Sequence, residues 1–255
     1  MNRLKMERRY RLHTYETDTH GNMSVTALFN YLQDIASAHA ASLHFGKEDL
    51  EKNNMFWVLS RIYAKMDHMP GWDSEVIITT WPRGVEGIFA LRDYEIRSIN
   101  GKRIGGATSA WLMVDRTNKR PRRPDEHLVS LGEELPPERS LGRNPEKISP
   151  LEETTYTSLP FSVKYSDLDI NMHVNNVRYI QWALDAYPLE FRMKNEMESV
   201  EVNYISESLP GDEVFIEIFN QEDDCFIHSV KRQNDKRELC RVRVKWRGCK
   251  QNKVY

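Results

Sequence analysis

The chain has 255 residues, with 36 Lys and Arg against 38 Asp and Glu and a formal net charge of −2. A balance this close to zero argues against a general nucleic-acid binder, and a 40% hydrophobic share excludes a wholly disordered chain. No apolar run approaches the ~20 residues of a membrane span, the basic start MNRLKMERRYRLH lacks a secretory apolar stretch, and Cys225, Cys240 and Cys249 read as free thiols of a reducing, cytoplasmic protein.

Along the chain, Ser24 is placed to cap a helix with apolar positions Val25, Leu28, Leu32 and Ile35. Pro70-Gly71 and a nearby acidic residue then lead into a β-branched strand, and Asn100-Gly101 predicts a tight hairpin before a long strand near Trp111. Seven of the eleven prolines fall between Pro121 and Pro160, which reads as a linker over 126–158 between domains 1–125 and 159–255.

The second half repeats the order. Asn175 or Asn176 can cap a helix with Val177, Ile180, Leu184 and Tyr187, stopped by Pro188. Pro210-Gly211, a strand, the turn Asn234-Asp235 and a strand ending near Trp246 follow. Matched positions lie 150 apart (Tyr15 and Tyr165), then 140 (Pro70 and Pro210), then 134 (Asn100 and Asn234), which predicts an internal duplication. In the last strand Cys240, Val242, Val244 and Trp246 alternate with Arg241, Arg243, Lys245 and Arg247. Period two with one apolar and one basic face predicts an antiparallel sheet with one packed and one wet side, and an α+β class overall.

Reactive groups are densest over 167–176, Asp-Leu-Asp-Ile-Asn-Met-His-Val-Asn-Asn, after the strand-like Phe161–Tyr165 and just before the second helix. A helix start offers unpaired N–H groups that can bind an oxyanion, and the imidazole, amide and carboxylate beside it can move a proton and orient water. A polar turn with a cap uses the same residue types, and both readings stand at this point. A metal site lacks a second His or Cys at ligand spacing, and a serine nucleophile lacks its G-x-S-x-G turn.

The segment SDLDINMHVNNVRYIQWALDAYP strongly resembles the second-domain signature of acyl-acyl carrier protein thioesterases, which are built as tandem hotdog domains. FWVLSRIYAKMDHMPGWDSEVIITTWPRG, SAWLMVDRTNKRPRRPDE and ELCRVRVKWR resemble further segments of the same family in order. The resemblance implies an α+β fold of two hotdog domains, each a long helix packed on an antiparallel sheet. It also implies hydrolysis of fatty acyl-acyl carrier protein thioesters, ending fatty acid synthesis, without a metal or organic cofactor. Hydrolysis of acyl-coenzyme A and non-catalytic acyl binding are the alternatives.

Carried over by position, the family's active site implies Asp169, Asn171, His173 and Glu207. The plant enzymes usually follow the acid with a cysteine, whereas this chain has Ser208, which favours direct attack by water. Backbone N–H groups of Val174, Asn175 and Asn176 are the oxyanion donors expected on this reading. At an offset of 150, Asp169, Asn171 and His173 face Thr19, Gly21 and Met23, so the first domain is expected to be catalytically empty. Met23, Phe29 and Trp57 are candidates for an acyl-chain pocket there, with plain core as the other reading. Arg241, Arg243, Lys245 and Arg247 form a candidate docking strip for an acidic carrier protein, or a solubilising face. A monomer or homodimer is expected.

Overall fold

The computed structural model describes residues 3–124, 138–222 and 224–249. The chain divides into two compact units, Met1–Pro145 and Glu146–Tyr255. Of the predicted linker, residues 126–137 lie outside the described residues.

In the first unit, β1 (Met6–Arg11) precedes α1 (Val25–Ser42) and α2 (Lys47–Lys52). Strands β2 (Met55–Met66), β3 (Glu75–Glu86), β4 (Phe89–Ser98), β5 (Arg103–Asp115) and β6 (Pro121–Arg122) follow. The sheet is antiparallel in the order β1-β3-β4-β5-β2, with β6 on β5. Ser24 caps α1, its hydroxyl accepting from the Ala27 N–H at 3.2 Å. Leu28, Leu32 and Ile35 recur at helical spacing and are at most 1% exposed, each worth ~1.5–3 kcal/mol of burial. They face the sheet because α1 packs on β1 and β3. The Asn100-Gly101 hairpin forms with Gly101 at φ +85°, a backbone state that glycine adopts without strain.

The second unit runs β7 (Tyr156–Thr157), β8 (Phe161–Ser162), α3 (Asn176–Asp185), α4 (Leu189–Lys194), β9 (Asn195–Tyr204), β10 (Glu213–Glu222), β11 (Cys225–Arg232) and β12 (Glu238–Gly248). Its antiparallel order is β9-β12-β11-β10-β7, with β8 also on β10. Asn175 is the cap, its side-chain oxygen accepting from the Val177 N–H at 3.0 Å. The helix ends at Asp185, before Pro188, and α4 starts just beyond that proline. The strand expected over Phe161–Tyr165 pairs only at Phe161–Ser162, and Tyr165 opens a 3-10 turn. The apolar face of β12 is as read: Cys240, Val242, Val244 and Trp246 are at most 3% exposed, with α3 packed on β11 and β12. Each unit is thus a helix on an antiparallel sheet, the hotdog arrangement.

The opposite face of each sheet is covered as well. In the first unit the Ser140 N–H donates to Asp93 Oδ2 at 2.9 Å, and Arg103 Nη2 donates to the Ser140 carbonyl at 2.7 Å. Gly106 makes room for this crossing, since a Cβ there would meet the Ser140 hydroxyl. In the second unit the Glu146 and Ile148 N–H groups donate to Glu201 Oε1 (2.6 Å) and Asn203 Oδ1 (2.8 Å) of β9.

This covering corrects the reading of a wet face at Arg241, while Arg243 and Arg247 are half-buried and Lys245 is exposed. Arg241 is 8% exposed and donates to the Ile148 carbonyl (2.7 Å) and to Glu238. Arg243 pairs with Glu201 and Glu146, Lys245 with Glu198 (3.6 Å) and Arg247 with Glu196 (2.7 Å). The acidic row of β9 and Glu146 thus pair with the strip along its length.

Candidate active site

The loop before α3 is built by one carboxylate. Asp169 Oδ1 accepts the N–H groups of Asn171 (2.8 Å) and His173 (3.3 Å), and its Oδ2 accepts from the Asn171 side chain (3.3 Å). The Asp169 N–H donates to the His173 carbonyl at 2.8 Å and the Met172 N–H to the Asp169 carbonyl at 3.0 Å. Met172 takes φ +62° to close the turn. Leu168 and Val174 then bridge, and the chain enters the helix. Asp169 therefore fixes the loop, while His173 projects from its end.

The turn between β9 and β10 brings Glu207 to the same place. His173 Nδ1 lies 3.7 Å from Glu207 Oε1, with the side chains 41% and 58% exposed. That separation is too long for a direct hydrogen bond and suits a shared water. Ser208, at the position where the plant enzymes carry cysteine, is fully buried, and its hydroxyl donates to Asp212 Oδ2 at 3.0 Å. Around the pair, Ile170, Met172, Ile205 and Leu209 are 87, 58, 47 and 52% exposed, an apolar rim on polar turns.

The oxyanion donors need one correction. The Asn175 N–H is committed to the Asp167 carbonyl at 2.8 Å, which closes the loop onto the preceding 3-10 turn. The N–H groups of Val174 and Asn176 make no hydrogen bond to the described chain and stay available at the positive end of α3.

The first unit contains the same loop, which changes the register read from sequence. Asp18 Oδ1 accepts the N–H groups of His20 (2.9 Å) and Asn22 (3.0 Å). The Asp18 N–H donates to Asn22 O (2.7 Å) and the Gly21 N–H to Asp18 O (3.0 Å), and Thr17 bridges to Met23. The offset is 151 rather than 150, so Asp18, His20 and Asn22 match Asp169, Asn171 and His173. The first loop has an imidazole and an amide after all, in exchanged order. It also differs in its closure, since Met23 donates to Pro70 O (2.8 Å), Trp72 donates to Gly21 O (2.7 Å), and Asn22 bridges to Gly71. In the second unit Gly211 instead donates to Val163 O at 3.3 Å. From the last strand residue to the Pro-Gly turn the first unit has four steps (Met66 to Pro70) and the second six (Tyr204 to Pro210). Glu207 lies in the longer connection.

The candidate acyl-binding residues Met23 and Phe29 are 1% and 4% exposed in the core of the first unit, and Trp57 is half-buried with its indole N–H on the Phe45 carbonyl at 2.8 Å. Among the described residues, no group of three or more His, Cys, Asp or Glu side chains is arranged to hold a metal ion. No described helix is long and apolar enough to cross a membrane.

Tandem hotdog units with a polar loop at the start of the second helix define a class of acyl thioester enzymes, and comparison with known proteins narrows it. Residues 3–131 match the acyl-ACP thioesterase N-terminal domain and residues 151–248 the C-terminal domain. An oleoyl-acyl carrier protein thioesterase of Arabidopsis thaliana chloroplasts is 27% identical over 96% of this chain and 76% of its own length. The crystal structure of an acyl-ACP thioesterase from Bacteroides thetaiotaomicron is 29% identical, with a TM-score of 0.87 over 95% of this chain and 98% of that one. The 12:0-ACP thioesterase of Umbellularia californica, 21% identical, shares the fold at a TM-score of 0.86 over 96% of this chain and 98% of its own. The chain belongs to the acyl-ACP thioesterase family. It is a thioester hydrolase whose substrates are acyl thioesters of acyl carrier protein.

Proposed function

We propose that the loop at 167–176 and Glu207 together release free fatty acid from acyl-acyl carrier protein by direct attack of water, ending chain growth in fatty acid synthesis. The observation that carries this reading is the approach of His173 to Glu207, 34 positions apart in the chain and 3.7 Å apart in space. Glu207 takes a proton from the water between them as its oxygen attacks the thioester carbonyl. His173 and Asn171 hold that water, and Asp169 holds the loop. The N–H groups of Val174 and Asn176 receive the developing oxyanion, a donor of this kind being worth ~3–4 kcal/mol. The C–S bond then breaks and the proton passes to the departing thiolate. Ser208 supports the water route, because a buried hydroxyl bound to Asp212 cannot reach a substrate carbonyl.

The rim of Ile170, Met172, Ile205 and Leu209 suits the apolar arm and first carbons of the acyl group. Met23, Phe29 and Trp57 are kept as candidates for an acyl-chain pocket within the first unit. Free thiols at Cys225, Cys240 and Cys249 are consistent with a reducing, cytoplasmic setting. Hydrolysis of a panel of acyl-acyl carrier protein and acyl-coenzyme A thioesters is the test. Faster turnover of carrier-linked substrates supports the reading, preference for coenzyme A would replace it, and binding without turnover would leave an acyl-binding protein.

A further inference from the structure

Glu207 is exposed, its side chain 58% accessible, so its direction depends on the main chain that carries it. The peptide joining Glu207 to Ser208 is gripped at both ends. Its carbonyl accepts from Arg232 Nη2 at 2.8 Å, and its N–H donates to the Tyr179 hydroxyl at 3.0 Å. The carbonyl and N–H of a trans peptide point to opposite sides, so two partners fix its plane. Both partners are themselves anchored. Arg232, from β11, donates Nε to Asp212 Oδ2 at 2.9 Å, with side-chain exposures of 17% and 19%. The same oxygen accepts from the Ser208 hydroxyl (3.0 Å) and the Leu209 N–H (2.9 Å), gathering the turn around one carboxylate. Tyr179, 3% exposed, meets Trp182 and Tyr204 edge-on, and burial keeps its phenol protonated. Tyr179 lies on α3, the helix that begins at the His173 loop. The Tyr204 hydroxyl adds a second tie, donating to the Asn176 carbonyl at 3.0 Å.

We propose that Tyr179 and Arg232 are positioning residues that clamp the Glu207–Ser208 peptide and thereby hold the Glu207 carboxylate at His173. The inference rests on the reading of Glu207 as the base. The clamp explains a requirement that the site itself leaves open: an exposed carboxylate on a turn must keep one orientation to act on a single water.

The test compares Tyr179→Phe, Arg232→Gln and Arg232→Lys, each alone and combined with Glu207→Gln, using an acyl-acyl carrier protein substrate and thermal melts. Tyr179→Phe should lower kcat roughly 10-fold and Arg232→Gln roughly 10- to 100-fold, with KM nearly constant and the folded state retained. Arg232→Lys, which can reach one partner but not both, should restore part of the loss. In the Glu207→Gln background neither clamp variant should lower the remaining rate further, because both act through Glu207. Full kcat in both single variants would overturn the clamp, as would equal losses with and without the Glu207 carboxylate. Full activity of Glu207→Gln alone would instead overturn the base assignment.

Discussion

Asp18 and Asp169 close the same loop in the two units with the same pattern of backbone hydrogen bonds, and in the second unit that loop meets Glu207. In the first unit the loop is zipped to the Pro70–Gly71 turn by Met23 and Trp72. In the second the connection after the sheet strand is two residues longer, and its outer residues bring Glu207 to His173. The order of imidazole and amide is also exchanged, His20 then Asn22 against Asn171 then His173. Both units build this loop on one aspartate. In the proposed function, activity depends on which side chain stands at its fifth position and on what the neighbouring turn delivers.

The largest effect should come from giving the second loop the order of the first. Asn171→His combined with His173→Asn keeps both groups and the backbone bonds of the loop, and should lower kcat by ~10²-fold or more, because the groups that hold the attacking water are misplaced. His20→Ala should leave turnover unchanged, whereas His173→Ala should lose as much as the exchange. Equal sensitivity of the two histidines would break the comparison.

In stability against pH the two units should instead behave alike. Each core holds one buried imidazole, His39 and His228, drawn down to about 4 by burial first of all. His39 accepts from Arg92 at Nδ1 (3.0 Å), which leaves its Nε2–H to donate to the Arg3 carbonyl (3.2 Å). Above the unfolded value of about 6.5 both states are neutral and pH has no effect through these groups. As pH falls from about 6.5 to 4 the unfolded chain takes up protons that the folded chain refuses, so stability is lost. The slope is about 1.4 kcal/mol per pH unit for each histidine. Denaturant midpoints of His39→Gln and His228→Gln between these pH values should show a flatter slope than wild type, each by one histidine's share. An unchanged slope would contradict neutral burial.

Asp18→Ala and Asp169→Ala should destabilise their units comparably, by ~1–3 kcal/mol, because each leaves loop N–H groups without an acceptor. Calorimetry would measure both, and only Asp169→Ala should also lose turnover. Smallest of all, Ile170→Ser and Met172→Ser should raise KM for acyl-carrier substrates a few-fold with kcat nearly intact, since each trims exposed apolar contact. A drop in kcat without a change in KM would remove the rim from substrate binding.

Much of this architecture was legible in the sequence through short-range rules. Ser24 and Asn175 are caps, Asn100-Gly101 is a hairpin, and alternation in β12 gave its packed face, because each depends on neighbours within a few positions. The loop register lies one residue from the Tyr15–Tyr165 spacing, because Asp18 and Asp169 build the turns and neither tyrosine does. The charge of the last strand is compensated at longer range. Glu196, Glu198 and Glu201 become its partners only through the β9–β12 register, and Arg241 is covered by Ile148, 93 positions away. Tyr179, Arg232 and Asp212 left a single trace, the acidic residue after Pro210-Gly211.

Whether Glu207 activates water at the second loop is decided by single-turnover hydrolysis of one acyl-acyl carrier protein by Glu207→Gln. With binding of the carrier-linked substrate measured on the same variant, the expected result is wild-type affinity, a rate at least ~10²-fold lower, and no acyl group on the protein by intact mass. A wild-type rate, or an acyl adduct accumulating on Ser208, would contradict it.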